Sequence, residues 1–375
     1  MRKAFISPTK YIQCEDALKY LGDYVKLYGE SALLIAHKDD IARVKEQLDF
    51  TASEYKIKFV MGEFGGECSR EEVKRLLDVA TKNNCDCIVG LGGGKAIDTC
   101  KCVGDSKKPI IICPTIAATD APTSSSAVLY TPDGAFDDYA YFRNNPEIVL
   151  VDTTVISKAP VRFLVSGMGD ALSTYFEARS TTASYGRVNA SGYNKPKAVG
   201  TMTAMALAEL CYETLLEEGV KAKIACEAKA ITPALEKIIE TNILLSGLGF
   251  ESGGLAAAHA VHNGLTVFPE AHKFYHGEKV AFGTIVHLVL ENADLDEIGE
   301  VIEFCLSVGL PVCLADLGIK KVDPALLKEC AQKSTIPEES VHNMPFPVTA
   351  DMVEAAILVA DKLGSEARGG GTAAK

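Results

Sequence analysis

Five of the seven histidines in this 375-residue chain fall between His259 and His287, four of them within the 18 positions from His259 to His276. The dense part reads Gly253-Gly-Leu-Ala-Ala-Ala-His259-Ala-Val-His262-Asn-Gly264, followed by His272-Lys-Phe-Tyr-His276-Gly277-Glu-Lys-Val. His259 and His262 are three apart and share a helix face, while His276 stands before a glycine at the start of another helical run. Imidazoles framed by small residues that permit close packing suit a divalent transition metal. A catalytic metal needs about three protein ligands and an open position for a substrate oxygen. The carboxylate that fits best is Asp170 in Gly167-Met-Gly169-Asp170-Ala-Leu, because it enters an apolar helix where a charge needs a partner. The plainer account of Asp170 is a helix-start carboxylate beside the dipole. The residues alone also leave His259 and His262 as alternatives.

A second group suits a phosphate. Asp86-Cys-Ile-Val-Gly-Leu-Gly92-Gly93-Gly94-Lys95-Ala-Ile-Asp98 places glycines between a strand-like run and a helical one. There the backbone can approach a pyrophosphate, and the helix start offers free N–H groups. The spacing is not G-x-G-x-x-G, and the cluster follows the third strand-like run rather than the first. A polar loop, Pro114-Thr115-Ile-Ala-Ala-Thr119-Asp120-Ala-Pro122-Thr123-Ser124, follows the next run. Ligands bind at the C-terminal ends of parallel strands, so two such loops on neighbouring strands reinforce one another.

The elements that must position these groups divide into two regions. Apolar, β-branched runs at Ala32–Ala36, Ile57–Met61, Cys87–Leu91 and Ile110–Cys113 alternate with helical spacing, as in Glu71–Lys82. Ser69 followed by Glu72 is a capping-box signature for that helix. Ala127–Tyr130 and Glu147–Val151 read as strands flanking a Pro132-Asp133-Gly134 turn. Strand–helix alternation implies a parallel sheet, here an α/β nucleotide-binding domain over residues 1–159. Beyond it, Thr201–Glu218, Ala222–Leu248 and Leu290–Val308 are rich in Ala, Leu, Glu and Met and read as helices, so residues 160–375 are expected to be an all-α domain carrying the metal and substrate. The tail Gly369–Lys375 is small and polar, and is expected to fray.

Composition bounds the function. Fifty acidic against 38 basic side chains give a net charge of −12, which argues against nucleic acid as a partner. No apolar run approaches the ~18 residues of a membrane span, and no signal core precedes Pro8, so a cytoplasmic location is expected. The 12 cysteines lack a disulfide framework or a metal-site spacing and read as reduced, mostly buried thiols.

Taken together, Gly92–Asp98, Pro114–Pro122, Gly167–Asp170, His259–Gly264 and His276–Val280 resemble, in order and over essentially the whole chain, the glycerol dehydrogenase branch of the iron-containing alcohol dehydrogenase superfamily. The resemblance implies a dehydroquinate synthase-like architecture, with the site in the cleft between an α/β and a helical domain. It places zinc on Asp170, His259 and His276, the pyrophosphate loop on Gly93, Gly94, Lys95 and Asp98, and further cofactor contacts on Thr115, Ala118, Ser124, Ser126 and Tyr130. Its substrate-contacting aspartate falls on Asp120. It implies reversible oxidation of glycerol to dihydroxyacetone by NAD, zinc acting as Lewis acid, and a homo-octamer.

One position departs. After Leu33-Leu34-Ile35-Ala36 the family places an aspartate on the adenosine ribose, and here His37 stands there, followed by Lys38, Asp39 and Asp40. Without that acid, discrimination against NADP is expected to weaken, unless Asp39 or Asp40 takes the role. Thr174 stands where iron-type members present a histidine, which favours zinc. His262 and His272 are candidates for a proton relay. Alternative readings are another 1,2-diol or alcohol dehydrogenase, or a dehydroquinate synthase-like lyase. The lyase would need a basic cluster for its phosphorylated acid, and the metal-flanking segments supply only Lys273 and Lys279.

Overall fold

The computed structural model describes residues 1–105, 107–192 and 196–370, so Gly371–Lys375 of the expected frayed tail lie outside the described residues. Its contacts form two compact units: residues 6–163 with Ala225–Gly247, and Met1–Phe5 with Leu164–Ile224 and the chain from Leu248 onward.

The first unit is built on a six-stranded parallel sheet. Its strands are β1 (Lys10–Cys14), β2 (Ser31–Ala36), β3 (Lys58–Glu63), β4 (Cys87–Gly92), β5 (Ile110–Pro114) and β8 (Ile148–Asp152), in the order β1-β8-β5-β4-β2-β3. Every residue of β4, β5 and β8 is buried, as continuous apolar strands covered on both faces require. β6 (Ser126–Tyr130) and β7 (Phe136–Tyr141) form a separate antiparallel hairpin. The turn at Pro132–Gly134 therefore leads into β7, not β8. β1 and β7 are absent from the sequence reading because Tyr11 and Gln13 interrupt the apolar pattern of one, and β7 is mostly exposed. With β1 counted, the glycine cluster follows the fourth strand.

Register aligns the strand ends. Gly92 pairs with Pro114 and Ala36 with Leu91, so the segments after β2, β4 and β5 leave the sheet at one level. The chain passes from β2 to β3 on one side and to β4 on the other, which makes the β2/β4 crevice a switch point.

The second unit is helical, its strand content among the described residues being the single bridge Lys3–Val199. It holds the helix Val161–Ala183 from Leu164 onward, and the helices Ala257–Leu265, His276–Leu290 and Leu295–Val308. One helix runs Met202–Glu227 without a break, and the next begins at Pro233 behind its N-cap Thr232. The boundaries expected at Glu218 and Ala222 thus fall inside one helix, which ends before Lys229 takes a left-handed φ of 57°. Likewise Leu290 closes one helix and Leu295 opens another, with Asn292 at φ 53° between them. Ser69 caps its helix by accepting from Glu72 N at 3.2 Å, but the Glu72 carboxylate accepts from Gly65 N at 2.8 Å, so the capping box is half made. No helix is long and apolar enough to cross a membrane among the described residues.

Candidate metal centre and cofactor loops

Asp170 lies in the middle of the helix Val161–Ala183, not at its start, and its carboxylate is 1% exposed. A helix dipole cannot account for a charge there, so its partners must. The helix His276–Leu290 supplies one. Its first turn is set by Tyr275 N, which donates to Glu278 Oε2 at 2.7 Å. Close approach of the two helices depends on glycine: a Cβ on Gly277 would lie 1.8 Å from Ser166 O and 2.8 Å from Asp170 N. With that space free, His276 Nε2 stands 3.0 Å from Asp170 Oδ1. From the helix Ala257–Leu265, His259 Nε2 stands 3.5 Å from the same oxygen. The three donor atoms lie within 4.8 Å of one another.

The far side of each ring is also held. His259 Nδ1 is 2.6 Å from Glu177 Oε2, and Glu177 Oε1 accepts from Ala256 N at 2.8 Å and His259 N at 3.0 Å. Glu177 therefore caps the helix and orients the ring together. His276 Nδ1 is 3.1 Å from His262 Nε2, His262 Nδ1 is 3.1 Å from Asn263 Oδ1, and Asn263 Nδ2 donates to Glu339 at 3.0 Å. Assigned from this network, the hydrogens run outward: His276 donates to His262, which donates to Asn263. His262 is consequently not turned to the centre, and His259 is.

Electrostatics agree with the geometry. Burial would raise the Asp170 carboxyl, but His276 and His259 hold it well below the carboxylate range. Burial likewise opposes ionisation of Glu177, and the His259 imidazole and backbone N–H outweigh it. Burial, then His276 and Lys279, push His262 well down, which keeps it neutral and able to accept. Burial opposes a charge on His259, but Glu177 and Asp170 outweigh it and raise that imidazole well above its ordinary range. The two buried carboxylates thus hold positive charge at a place where a divalent cation can displace the proton, and the N₂O donor set leaves a position open. The residues fit zinc. Thr174 packs its methyl against Gly249 and is no ligand. His272 is exposed and bonds Thr266 O at 2.9 Å, so it is not brought to the centre. All 12 cysteines are free, and all but Cys14 and Cys102 are buried.

The expected cofactor residues gather on the first unit. Gly92 takes a φ of 154°, and the helix Gly94–Gly104 starts behind Gly93 with its N–H groups facing the turn. Thr115 N donates to Gly92 O at 3.0 Å, tying the two loops. Lys95 pairs with Glu67 at 2.6 Å and sits 4.8 Å above the Tyr130 ring. Asp98 is 2.9 Å from Lys101 Nζ and accepts from Val128 N at 2.9 Å, so it braces β6, which carries Ser126 and Tyr130. The 1%-exposed Lys101 also bonds Ala121 O at 2.9 Å and Ser124 Oγ at 3.1 Å. Ala118 and Asp120 line the same loop and are both buried. His37 caps the helix Lys38–Arg43, its Nδ1 accepting from Asp39 N at 3.3 Å.

Comparison with known proteins identifies the family. The iron-containing alcohol dehydrogenase family matches over residues 8–153. A glycerol dehydrogenase of Pseudomonas putida is 49% identical over 97% of this chain and 98% of its own length. The chain belongs to the glycerol dehydrogenases of the iron-containing alcohol dehydrogenase family. A glycolaldehyde reductase of Halobacterium salinarum is 42% identical over 98% of this chain and all of its own. The crystal structure of glycerol dehydrogenase from Schizosaccharomyces pombe superposes with a TM-score of 0.93 at 37% identity, covering 98% of this chain and 93% of that one. This member of the family is an oxidoreductase, with the parallel-sheet and helical parts that the fold implies.

Glu177, Lys101 and Ser246 were missed by sequence reasoning. Glu177 had a signal: it lies seven residues after Asp170, two turns along one helix face.

Proposed function

We propose that this chain oxidises glycerol to dihydroxyacetone reversibly, with NAD as hydride acceptor and zinc held by Asp170, His259 and His276. The observation that carries the reading is the convergence of two Nε2 atoms on one buried Asp170 oxygen, each ring oriented from behind. A divalent zinc bound there supplies Lewis acidity toward a polyol hydroxyl. Asp170 provides the buried negative charge, and Glu177 and His262 keep both imidazole lone pairs aimed inward. Asp120 orients a second hydroxyl from the loop after β5. Gly93 and Gly94 receive the pyrophosphate on backbone N–H groups, and Thr115, Ala118, Ser124, Ser126 and Tyr130 line the rest of the cofactor surface.

NAD is favoured over NADP by Asp40, whose carboxylate stands over the glycine turn. The 42%-identical glycolaldehyde reductase supports a second reading, in which a two-carbon 1,2-oxygenated substrate is turned over at the same centre. Free, mostly buried thiols suit a reducing, cytoplasmic compartment, and self-association into a homo-octamer is part of the same proposal. Reduction of NAD by glycerol, followed after chelation and again after added zinc, tests the centre. Turnover is expected to vanish and return; undiminished turnover by enzyme verified as metal-free would sink the zinc assignment.

A further inference from the structure

Between the helices Pro233–Glu240 and Ser246–Gly253 the backbone widens into a π-turn at Thr241–Leu245. Such turns are rare and concentrate at functional sites, because the wider ring frees backbone groups for outside partners. Its partner here is the loop after β5. Asn242 Nδ2 donates to Ala117 O at 3.0 Å, and Thr123 Oγ1 donates to Ile243 O at 3.2 Å. Gly247 lets the loop close in, since a Cβ there would lie 1.8 Å from Thr123 Oγ1 and 3.2 Å from Asp120 O.

Those contacts anchor the loop through its backbone and Thr123. One more reaches the functional side chain itself: Ser246 Oγ donates to Asp120 Oδ2 at 2.7 Å, with Ser246 fully buried and Asp120 9% exposed. A hydroxyl donating to a buried carboxylate is a short, strong bond that fixes the direction of the other oxygen.

We propose that Ser246 is a positioning residue that sets the preference for a vicinal diol over a simple alcohol, by holding the Asp120 carboxylate in one orientation. The inference rests on the reading of Asp120 as the group that orients a polyol hydroxyl. A substrate with no second hydroxyl makes no use of that orientation.

The test compares glycerol with 2-propanol, using zinc-loaded full-length enzyme and NAD, for Ser246→Ala, Asp120→Asn and the double variant. Ser246→Ala is expected to raise KM for glycerol about tenfold, the worth of one charge-assisted hydrogen bond. kcat for glycerol and kcat/KM for 2-propanol should each change by less than about threefold. In the Asp120→Asn background the serine substitution should add nothing. An Asp120→Asn variant with unaltered glycerol kinetics removes the underlying reading, and this inference with it. A raised KM in Asp120→Asn beside an unchanged Ser246→Ala overturns the inference alone. So do equal losses on both substrates, or additivity in the double variant. Should the alanine variant not fold, Ser246→Cys, close in volume and a weak donor, must give the same split.

Discussion

Glu177 Oε2 and His259 Nδ1 stand 2.6 Å apart, both held in the second unit's interior, with Nε2 of the same ring facing Asp170. A carboxylate on Nδ1 makes that nitrogen the hydrogen-bearing one and leaves Nε2 with its lone pair inward. The ring thus already has the orientation that a metal requires, with Nδ1 fixed as the nitrogen that keeps its hydrogen when a metal takes Nε2.

Glu177→Gln is expected to weaken zinc binding by about 10–100-fold, the usual cost of losing an oriented outer partner. The amide oxygen can still accept from Nδ1, but the second buried negative charge is gone. Competition against a chelator of known affinity measures this without reference to turnover. Affinity within about twofold of the parent would show that Glu177 serves only as a helix cap.

Glu177 shares a helix face with Asp170, but its partner His259 lies 82 residues further along the chain, beyond any local pattern. The histidine cluster is local, so its density over His259–His276 is visible in one stretch of chain. Choosing His259 over His262 is not local, because both share a face at i, i+3 and only the side occupied by Glu177 and Asp170 separates them. The parallel sheet was legible wherever strands are apolar on both faces, as in β4 and β5. Strands with polar or exposed residues, β1 and β7, were not. Asp98 shows a further limit: its place beside the glycine turn was evident, whereas its bond to Val128 N depends on a hairpin about 30 residues away. Ser246 is plain in sequence and gains meaning only from the π-turn that aims it at Asp120.

A pH-dependent contribution to stability sits apart from the metal ligands. Burial would raise the Glu291 carboxyl, but His287, Ser180 and Arg179 outweigh it and bring it from 4.5 down to about 2. Arg179 Nη2 is 2.7 Å away, and Ser180 Oγ bonds the other oxygen. Since the folded value lies below the unfolded one, the stabilisation is complete above the unfolded value. It is lost as pH falls through about 4.5 toward 2. With solvent screening for a partly exposed group, roughly 1–2 kcal/mol is at stake. Urea unfolding followed between about pH 5 and pH 2 should show Glu291→Gln less stable at the upper end and converging with the parent at the lower. A gap that stays constant with pH would assign the loss to packing instead.

Cofactor preference is proposed to turn on Asp40. Its Oδ2 lies 3.5 Å from where a Cβ on Gly92 would stand, beside the turn expected to hold the pyrophosphate. His37, at the end of β2, has its Nδ1 engaged in capping its own helix. Asp40, steadied by its ion pair with Arg43, is therefore the acid we propose for the adenosine ribose. A carboxylate there accepts from ribose hydroxyls and repels a 2′-phosphate. Asp40→Asn removes the repulsion and frees the Arg43 guanidinium, whose charge favours the phosphate. The ratio of kcat/KM for NAD over NADP is expected to fall by about tenfold or more, roughly 1.4 kcal/mol in transition-state terms. His37→Asp, measured alongside, should alter the ratio less than Asp40→Asn does. If instead Asp40→Asn leaves the ratio in place and His37→Asp raises it about tenfold, discrimination belongs to position 37 and the parent enzyme lacks it.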